Sequence, residues 1–162
     1  LYRIIILYIY IYMVKEYNTH PAIDDHVGTH DQLIKKYKGK YAFVKVYAPW
    51  CGHCITMTSD IIKLGNKVKN TNFKVITVNS ENSENSEIIS KLNIGGFPSL
   101  YILHSNSKFE KYTDDRSYDE IYKHVKKYIK QKKTSSKKVK RSNKGKGNIK
   151  GKRKGRKSNR HN

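Results

Sequence analysis

The spacing of hydrophobic residues predicts alternating strands and helices through the middle of the chain. The segment KYAFVKVYA (40–48) is β-branched and aromatic. It is apolar on both faces apart from Lys45, which is typical of a central strand covered on both sides. The segment FKVITVN (73–79) predicts a second strand. Between them, apolar residues after Cys54 recur at helical spacing up to about Lys69, which predicts a helix.

Capping and turn residues extend this alternation on both sides. THDQLIKKYKG (29–39) predicts a helix, with Thr29 as its N-cap and Gly39 as its stop signal. NSENSENSE (79–87) contains three copies of one tripeptide. Because Asn and Ser are good caps and Glu is favourable in a first turn, we expect a loop that leads into a helix ending at Leu92. An acidic binding loop is the alternative interpretation.

The second half of the pattern changes from alternation to a hairpin. PSLYIL (98–103) and KFEKY (108–112) are separated by HSNS, which predicts two antiparallel strands. After them, Ile121, Val125 and Ile129 lie four apart and predict a helix with one apolar stripe. The resulting order, α-β-α-β-α-β-β-α, predicts an α/β fold with a central mixed sheet and helices on both faces.

The charge distribution divides the chain into parts. Of its 34 Lys and Arg residues, sixteen lie in the last stretch, from Lys130 to Asn162, and none of the 13 acidic residues does. A segment so charged and so poor in apolar residues cannot offset the entropy lost on ordering. We therefore expect an apolar N-terminal segment at 1–20, one folded domain at 21–130 and a disordered Lys/Arg-rich tail at 131–162.

The basic tail suggests a polyanionic partner. Its charge density, through residues 130–162, favours contact with nucleic acid or another polyanion, and KKVKR (137–141) is typical of a nuclear address. The tail contains no aromatic residue, so stacking on single-stranded bases is not predicted. A purely solubilising tail is the other interpretation.

The first residues, LYRIIILYIYIYMV (1–14), form an apolar run broken only by Arg3. The run is shorter than the ~17–25 residues of a membrane-spanning helix, so no firm spanning segment is predicted. The Ile/Tyr alternation at 9–12 favours a strand. Two interpretations stay open, a signal or anchor segment and an extension upstream of Met13. A signal would place the protein in the secretory pathway or endoplasmic reticulum lumen. Otherwise we expect an intracellular protein with nuclear or virion association.

The chemistry of the chain is concentrated in APWCGHC (48–54), which holds both cysteines. A predicted strand ends there and a predicted helix begins, so Cys51 lies at a helix N-terminus, where backbone N–H groups stabilise a thiolate. We expect Cys51 to be the exposed nucleophile and Cys54 to be the buried resolving thiol, with a disulfide forming between them. His53 adds a positive partner for the Cys51 thiolate, which favours oxidation or isomerisation of substrates.

Two other interpretations of the cysteines are less favourable. A disulfide across two residues closes so short a loop that it contributes little stability. A zinc site needs four ligands. His26 and His30 have a suitable spacing, but they precede the cysteines, whereas the cysteines come first in a zinc finger. The pattern therefore favours a reactive dithiol with no metal and no cofactor.

Three segments resemble the thioredoxin superfamily, and specifically the catalytic domains of protein disulfide isomerases. These segments are YAPWCGHC (47–54), GGFPSL (95–100) and YTDDRSYDEI (112–121), and the resemblance covers about residues 21–130. It implies a thioredoxin fold and disulfide exchange with protein substrates that contain cysteines or disulfides.

The resemblance also implies roles for individual residues. Pro98 would be a cis-proline lying against the dithiol, and its neighbour Phe97 would offer backbone hydrogen bonds to an extended substrate. Trp50 would cover part of the substrate groove. Gly52 and His53 complete the CGHC loop and are included among the catalytic positions.

Arg116 would swing toward Cys54 and lower its pKa at the resolving step.

Two positions depart from the resemblance. Lys45 stands six positions before the first cysteine, where the family usually buries an acidic residue. We expect this lysine to slow proton-coupled turnover, so that Lys45→Glu would change the oxidase and isomerase rates. Ser59 replaces a helix-kinking proline, which predicts a straighter helix and a modest change in stability.

Two functional hypotheses follow from these patterns. The first is a thiol–disulfide oxidoreductase of the protein disulfide isomerase type that works through Cys51 and Cys54. The alternative is a nucleic-acid- or polyanion-binding protein with a thioredoxin-like scaffold. The direction of exchange, the compartment and the oligomeric state stay open at this point.

Overall fold

A computed structural model describes residues 3–6, 8 and 20–129 of the chain. Residues 3–6 and 8 are helical, and residues 20–129 contain the sheet and its helices. The strand expected at 9–12 and the tail expected at 131–162 lie outside the described residues. Among the residues that are described, no helix combines the length and the apolar character needed to cross a membrane.

Five strands form one mixed sheet in the order β1-β3-β2-β4-β5. β1 and β2 both pair with β3 in parallel, whereas β4 runs antiparallel to β2 and β5 antiparallel to β4. The predicted strands at 40–48 and 73–79 and the predicted hairpin are therefore confirmed. The strands are β1 (Asp24–His26), β2 (Tyr41–Tyr47), β3 (Phe73–Asn79), β4 (Ser99–Leu103) and β5 (Phe109–Lys111).

The helices begin and end largely at the predicted signals. α1 begins with a capping box between Thr29 and Gln32, and the chain leaves it through Gly39, whose φ of +76° favours glycine. The repeat segment forms a 3₁₀ turn that leads directly into α4. The helices are α1 (His30–Tyr37), α2 (Gly52–Thr56), α3 (Thr58–Val68), α4 (Ser86–Lys91) and α5 (Tyr118–Val125), with 3₁₀ turns at Ser83–Asn85 and Lys126–Tyr128.

Helices cover the sheet on both faces, as predicted. α3 and α5 pack on one face, where their buried residues join Phe43, Val75 and Ile102 in one core. On the other face α1 and α4 pack against a second core that includes Val44 and Ile76. Because β2 is buried on both faces, its near-continuous apolar run is accounted for.

The edge strand β1 was missed by the sequence analysis, which placed the first element at the helix of 29–39. β1 has three residues, two of them acidic, so it has no apolar alternation to detect. Polar contacts hold it instead. Asp24 accepts hydrogen bonds from Lys36 Nζ at 2.9 Å and from the Tyr37 hydroxyl, and Asp25 accepts one from the Thr77 hydroxyl at 2.8 Å.

The uninterrupted helix predicted after the cysteines, up to about Lys69, was wrong. The structure interrupts it at Met57, between α2 and α3. At this break the Cys54 carbonyl accepts hydrogen bonds from Lys45 Nζ at 2.7 Å and from Thr58 Oγ1 at 3.3 Å. Side-chain donors at a helical carbonyl are a recognised cause of kinks, so the helix breaks although Ser59 is not a proline.

The last predicted helix is also shorter than its apolar stripe. Ile121 and Val125 are buried in α5, but the chain then forms a 3₁₀ turn and is extended at Ile129. Ile129 still packs against the core that contains Ile121. The four-residue spacing identified the buried positions correctly and overestimated the length of the helix.

Candidate active site

The two cysteines lie where β2 passes into α2. β2 ends at Tyr47, and Cys51 is the N-cap of α2, with extended backbone angles (φ −78°, ψ 111°). The Cys54 N–H donates a hydrogen bond to Cys51 Sγ at 3.3 Å. An N-cap atom that accepts such a bond satisfies one of the unpaired N–H groups of the first turn, and a thiolate is a stronger acceptor than a thiol. The predicted position of Cys51 at a helix N-terminus is therefore confirmed.

The two cysteine side chains differ less in their exposure to solvent than predicted. Cys51 is 7% exposed and Cys54 is 1% exposed, so the expectation of an exposed nucleophile was wrong, although Cys51 is the more accessible of the pair. The Cys51 side chain is covered by a small cluster that includes Tyr47, Ala48 and Phe97. Both cysteines are free thiols in the structure, which thus describes the reduced form.

The pKa of the Cys54 thiol, at the resolving position, is strongly raised. Burial, followed by the hydrogen bond with Cys51, raises the pKa of the Cys54 thiol to about 12. Cys54 is therefore a neutral thiol near pH 7 in the reduced chain, and it must lose its proton before it can attack another sulfur.

The Phe97–Pro98 peptide bond is cis, as the resemblance implied. The Phe97 carbonyl lies beside the dithiol, where it accepts a hydrogen bond from the Cys51 thiol at 3.5 Å. Pro98 itself is buried next to this carbonyl. The contact of these residues with a substrate stays a prediction.

Trp50 lies at the mouth of the site and is 65% exposed. Its ring meets Phe97 edge to face, with the centroids 6.0 Å apart. Its Nε1–H donates a hydrogen bond to Glu81 Oε1 at 2.9 Å. Sequence reasoning missed Glu81 as a neighbour of the site, and the repeat at 79–87 was the only signal that singled out this loop.

His53 and Arg116 are both exposed and line the same groove, together with Asp60 and Asp115. Arg116 also lines a second groove of about 540 Å³ that continues along Phe97 and Pro98. The structure therefore brings Arg116 to the edge of the site. The predicted movement of its side chain toward Cys54 stays a prediction.

Lys45 is fully buried beneath the dithiol. Its position in a covered strand near Cys54 was predicted from the sequence, whereas the 2.7 Å hydrogen bond to the Cys54 carbonyl was not. Burial lowers the pKa of the Lys45 ammonium to about 8, against an attraction to both thiols that raises it. The predicted effect of Lys45 on turnover stays a prediction.

The zinc interpretation gains nothing from the structure. His26 lies at the end of β1 and His30 begins α1. Within the described part of the chain, no group of three or more His, Cys, Asp or Glu side chains is arranged to hold a metal ion.

Among curated proteins the chain is similar to protein disulfide isomerases. It is 35% identical over 84 residues to protein disulfide-isomerase 1 of Dictyostelium discoideum, covering 51% of this chain and 23% of that protein. It is 30% identical over 100 residues to a protein disulfide-isomerase of Ricinus communis, covering 60% of this chain and 18% of that protein. The chain thus spans about a fifth of the length of these relatives.

Solved structures with the same fold include the J-Trx1 fragment of ERdj5 and a thioredoxin from Trypanosoma brucei brucei. The ERdj5 fragment has a TM-score of 0.60 and 21% identity and covers 68% of this chain and 53% of its own. The thioredoxin has a TM-score of 0.55 and 20% identity and covers 68% of this chain and 93% of its own. At these identities the likeness establishes the thioredoxin fold alone.

The alternative of a polyanion-binding protein gains no support from the comparisons, and its tail lies outside the described residues.

The profile of the thioredoxin family matches residues 23–127, which is most of the part of the chain that the structure describes. The five-stranded mixed sheet, the dithiol at a helix N-terminus and the cis-proline beside it agree with that match. The chain therefore belongs to the thioredoxin family, with a domain of the protein disulfide-isomerase type.

Proposed function

We propose that this chain is a thiol–disulfide oxidoreductase that exchanges disulfides with protein substrates through Cys51 and Cys54. The observation that carries the proposal is the position of Cys51 Sγ. It caps the N-terminus of α2 while lying 3.5 Å from the backbone carbonyl that precedes a cis-proline. A sulfur placed there has N–H groups to stabilise its anion and a neighbouring backbone edge at which an extended chain can bind.

In the reducing direction, the Cys51 thiolate attacks one sulfur of a substrate disulfide. The substrate S–S bond breaks, a mixed disulfide forms between Cys51 and the substrate, and the other substrate sulfur leaves as a thiolate that takes a proton from solvent. The hydrogen bond from the Cys54 N–H lowers the energy of the Cys51 anion before the attack.

Cys54 then completes the exchange. It gives its thiol proton to solvent and attacks Cys51 Sγ, which breaks the mixed disulfide and releases the second substrate thiolate. Two electrons have passed to the substrate, and the chain holds a Cys51–Cys54 disulfide. The same steps in reverse oxidise a substrate dithiol, and isomerisation combines the two directions.

The substrate groove lies beside the dithiol. We assign substrate contact to Trp50, Phe97 and Pro98, with the backbone of Phe97 pairing with an extended substrate. Trp50 supports this assignment because a large, exposed aromatic ring is held next to the reacting sulfur by contacts on two sides. His53 and Arg116, along the adjoining groove, would influence the two thiolates electrostatically.

Reduction of insulin and refolding of scrambled ribonuclease test the proposal. We expect the chain to catalyse at least one of these reactions and Cys51→Ser to abolish it. Ser59→Ala, at an exposed position of α3, is the control and should retain the activity. The reduction potential of the Cys51–Cys54 couple then decides the direction, since ~30 mV corresponds to ~1.4 kcal/mol for two electrons. Equal activity of the parent chain and Cys51→Ser would refute the proposal.

A further inference from the structure

Lys45 is a charged residue with none of its surface exposed, located on β2 directly beneath the dithiol. Taking an ammonium group out of water is strongly unfavourable unless nearby groups compensate. A buried lysine is therefore expected where its charge or its hydrogen bonds have a specific partner.

The partner is Cys54. Lys45 Nζ donates to the Cys54 carbonyl at 2.7 Å, and Thr58 Oγ1 donates to the same oxygen at 3.3 Å. The ammonium is also attracted electrostatically to the sulfurs of Cys54 and Cys51. Lys45 Nζ also lies 5.9 Å from the centroid of the Tyr47 ring.

The two strands that pair with β2 place uncharged residues beside Lys45. In the sheet, Lys45 is in register with Thr77 on β3 and Leu100 on β4, both uncharged. The nearest acidic group in this row is Asp25, on β1, which accepts a hydrogen bond from Thr77.

Among the titratable groups on the helices, the thiols of Cys51 and Cys54 interact electrostatically with Lys45. α3 presents the uncharged Thr58 to the same carbonyl, and its acidic Asp60 lines the groove beside His53. On α5, Asp119 and Glu120 are exposed at the surface.

We propose that Lys45 is a positioning residue that acts through Cys54: its buried ammonium holds the Cys54 carbonyl and favours the Cys54 thiolate during the resolving step. This proposal rests on the exchange function proposed above and deepens it. Cys54 still gives its proton to solvent and attacks Cys51 Sγ. Lys45 keeps its own proton throughout and stabilises the anion by charge alone. It does not accept the Cys54 proton as a carboxylate at this position could, so the prediction of slower proton-coupled turnover is compatible with this role.

A pH signature follows from the low pKa of Lys45, about 8. Below that pH the ammonium is present and supports the Cys54 thiolate. Above it, Lys45 loses its charge, so each further rise in pH that would create thiolate also removes its support. An arginine at the same position cannot lose its charge in this range, which separates the effect of the charge from that of burial.

Cys51→Ala provides a clean background, because it leaves Cys54 as the sole cysteine of a chain that has two. The rate of alkylation by iodoacetamide below pH 8 then reports the thiolate fraction of Cys54.

We expect Lys45→Met to slow alkylation about tenfold or more, which corresponds to a rise of at least one unit in the pKa of Cys54. Lys45→Arg, which keeps a positive charge at this position, should restore the rate to within about threefold of the Cys51→Ala chain. Lys74→Met, on the neighbouring strand β3, is the matched control and should leave the rate unchanged.

The pH profile of the Cys51→Ala chain tests the proposal without any change at position 45. The rate should rise about tenfold per pH unit and then flatten above about pH 8, whereas the Lys45→Arg chain should show no flattening. Equal rates with lysine and methionine, or a profile without a break, would overturn the proposal. If the break is present but the insulin and ribonuclease assays show no activity, the exchange function fails while the coupling of Lys45 to Cys54 stands.

Discussion

The indole of Trp50 is held at the entrance to the dithiol between the Glu81 carboxylate and the Phe97 ring. It remains 65% exposed, so the ring presents a large apolar face to solvent next to the reacting sulfur. An exposed aromatic with a fixed orientation is well suited to binding, because little side-chain entropy is lost when a partner covers it.

We expect Trp50→Ala to weaken substrate binding and leave the chemical step nearly intact. Loss of one aromatic contact is worth about 0.5–1.5 kcal/mol, so KM should rise about 2- to 12-fold with little change in kcat. Val27→Ala, which removes another exposed apolar side chain, is the control. Steady-state kinetics of insulin reduction measure both constants. A fall in kcat at unchanged KM would show that the indole acts on the reaction and not on binding.

At the scale of single residues, the sequence identified those functional residues that lie close together along the chain. Cys51 and Cys54 were identified because a strand-to-helix junction and a two-residue spacing are visible in one short segment. Glu81 was missed because its hydrogen bond to Trp50 joins residues 31 positions apart. No periodicity reports such a contact between loops.

The pairing of α3 with the segment before β1 depends on the absence of one side chain. Gly65 is buried in α3, and a Cβ atom there would lie 2.7 Å from the carbonyl oxygen of Ala22. The helix thus approaches the backbone of its neighbour closely, which only glycine permits.

Gly65→Ala should therefore destabilise the protein, although alanine favours a helix interior by about 1 kcal/mol relative to glycine. We expect a net loss of about 1–3 kcal/mol in the free energy of unfolding, typical of overpacking against backbone. Chemical denaturation measures it. Asn66→Ala, exposed on the same helix, is the control and should be neutral or slightly stabilising. A more stable Gly65→Ala protein would show that the two segments separate without penalty.

The elements themselves were largely predictable, and the exceptions have physical causes. β2 and β3 are long apolar runs, and turn residues mark both ends of the hairpin. β1 was missed because side-chain hydrogen bonds of Asp24 and Asp25 hold it instead of apolar burial. Close to the break at Met57, the Cys54 carbonyl accepts a hydrogen bond from Lys45, which reaches the helix from another element and leaves no trace in helical periodicity.

For the molecule as a whole, the sequence predicted a mixed sheet with two covered faces, whereas the order of the strands became known only from the structure. Hydrophobic spacing shows which positions are buried and not which strands pair. On the edge strand β1, His26 is 3% exposed. Its Nε2 is buried without a hydrogen-bond partner among the described residues.

His26 makes the stability of the fold depend on pH. Burial lowers its pKa below the ordinary value of 6.5, so the folded state binds fewer protons than the unfolded state near that pH. The contribution of neutral His26 to the free energy of unfolding is therefore fully present above about pH 6.5. It should be lost as the pH falls through the lower pKa of the folded state. Urea denaturation at several pH values between 7 and 5 measures the slope, and His26→Asn should flatten it. The same slope in both proteins would assign the dependence to another group.

The central claim is that Cys51 forms the covalent bond to substrate and Cys54 releases it. The most direct measurement is trapping of the mixed disulfide by the Cys54→Ala chain, which retains Cys51 as its sole cysteine. Incubated with native insulin, whose disulfides are intact, and examined by mass spectrometry without reductant, this chain should accumulate an adduct linked to Cys51. The Cys51→Ala chain should form little or none under the same conditions. An adduct that forms equally well on Cys54, or no adduct on either chain, would contradict the account.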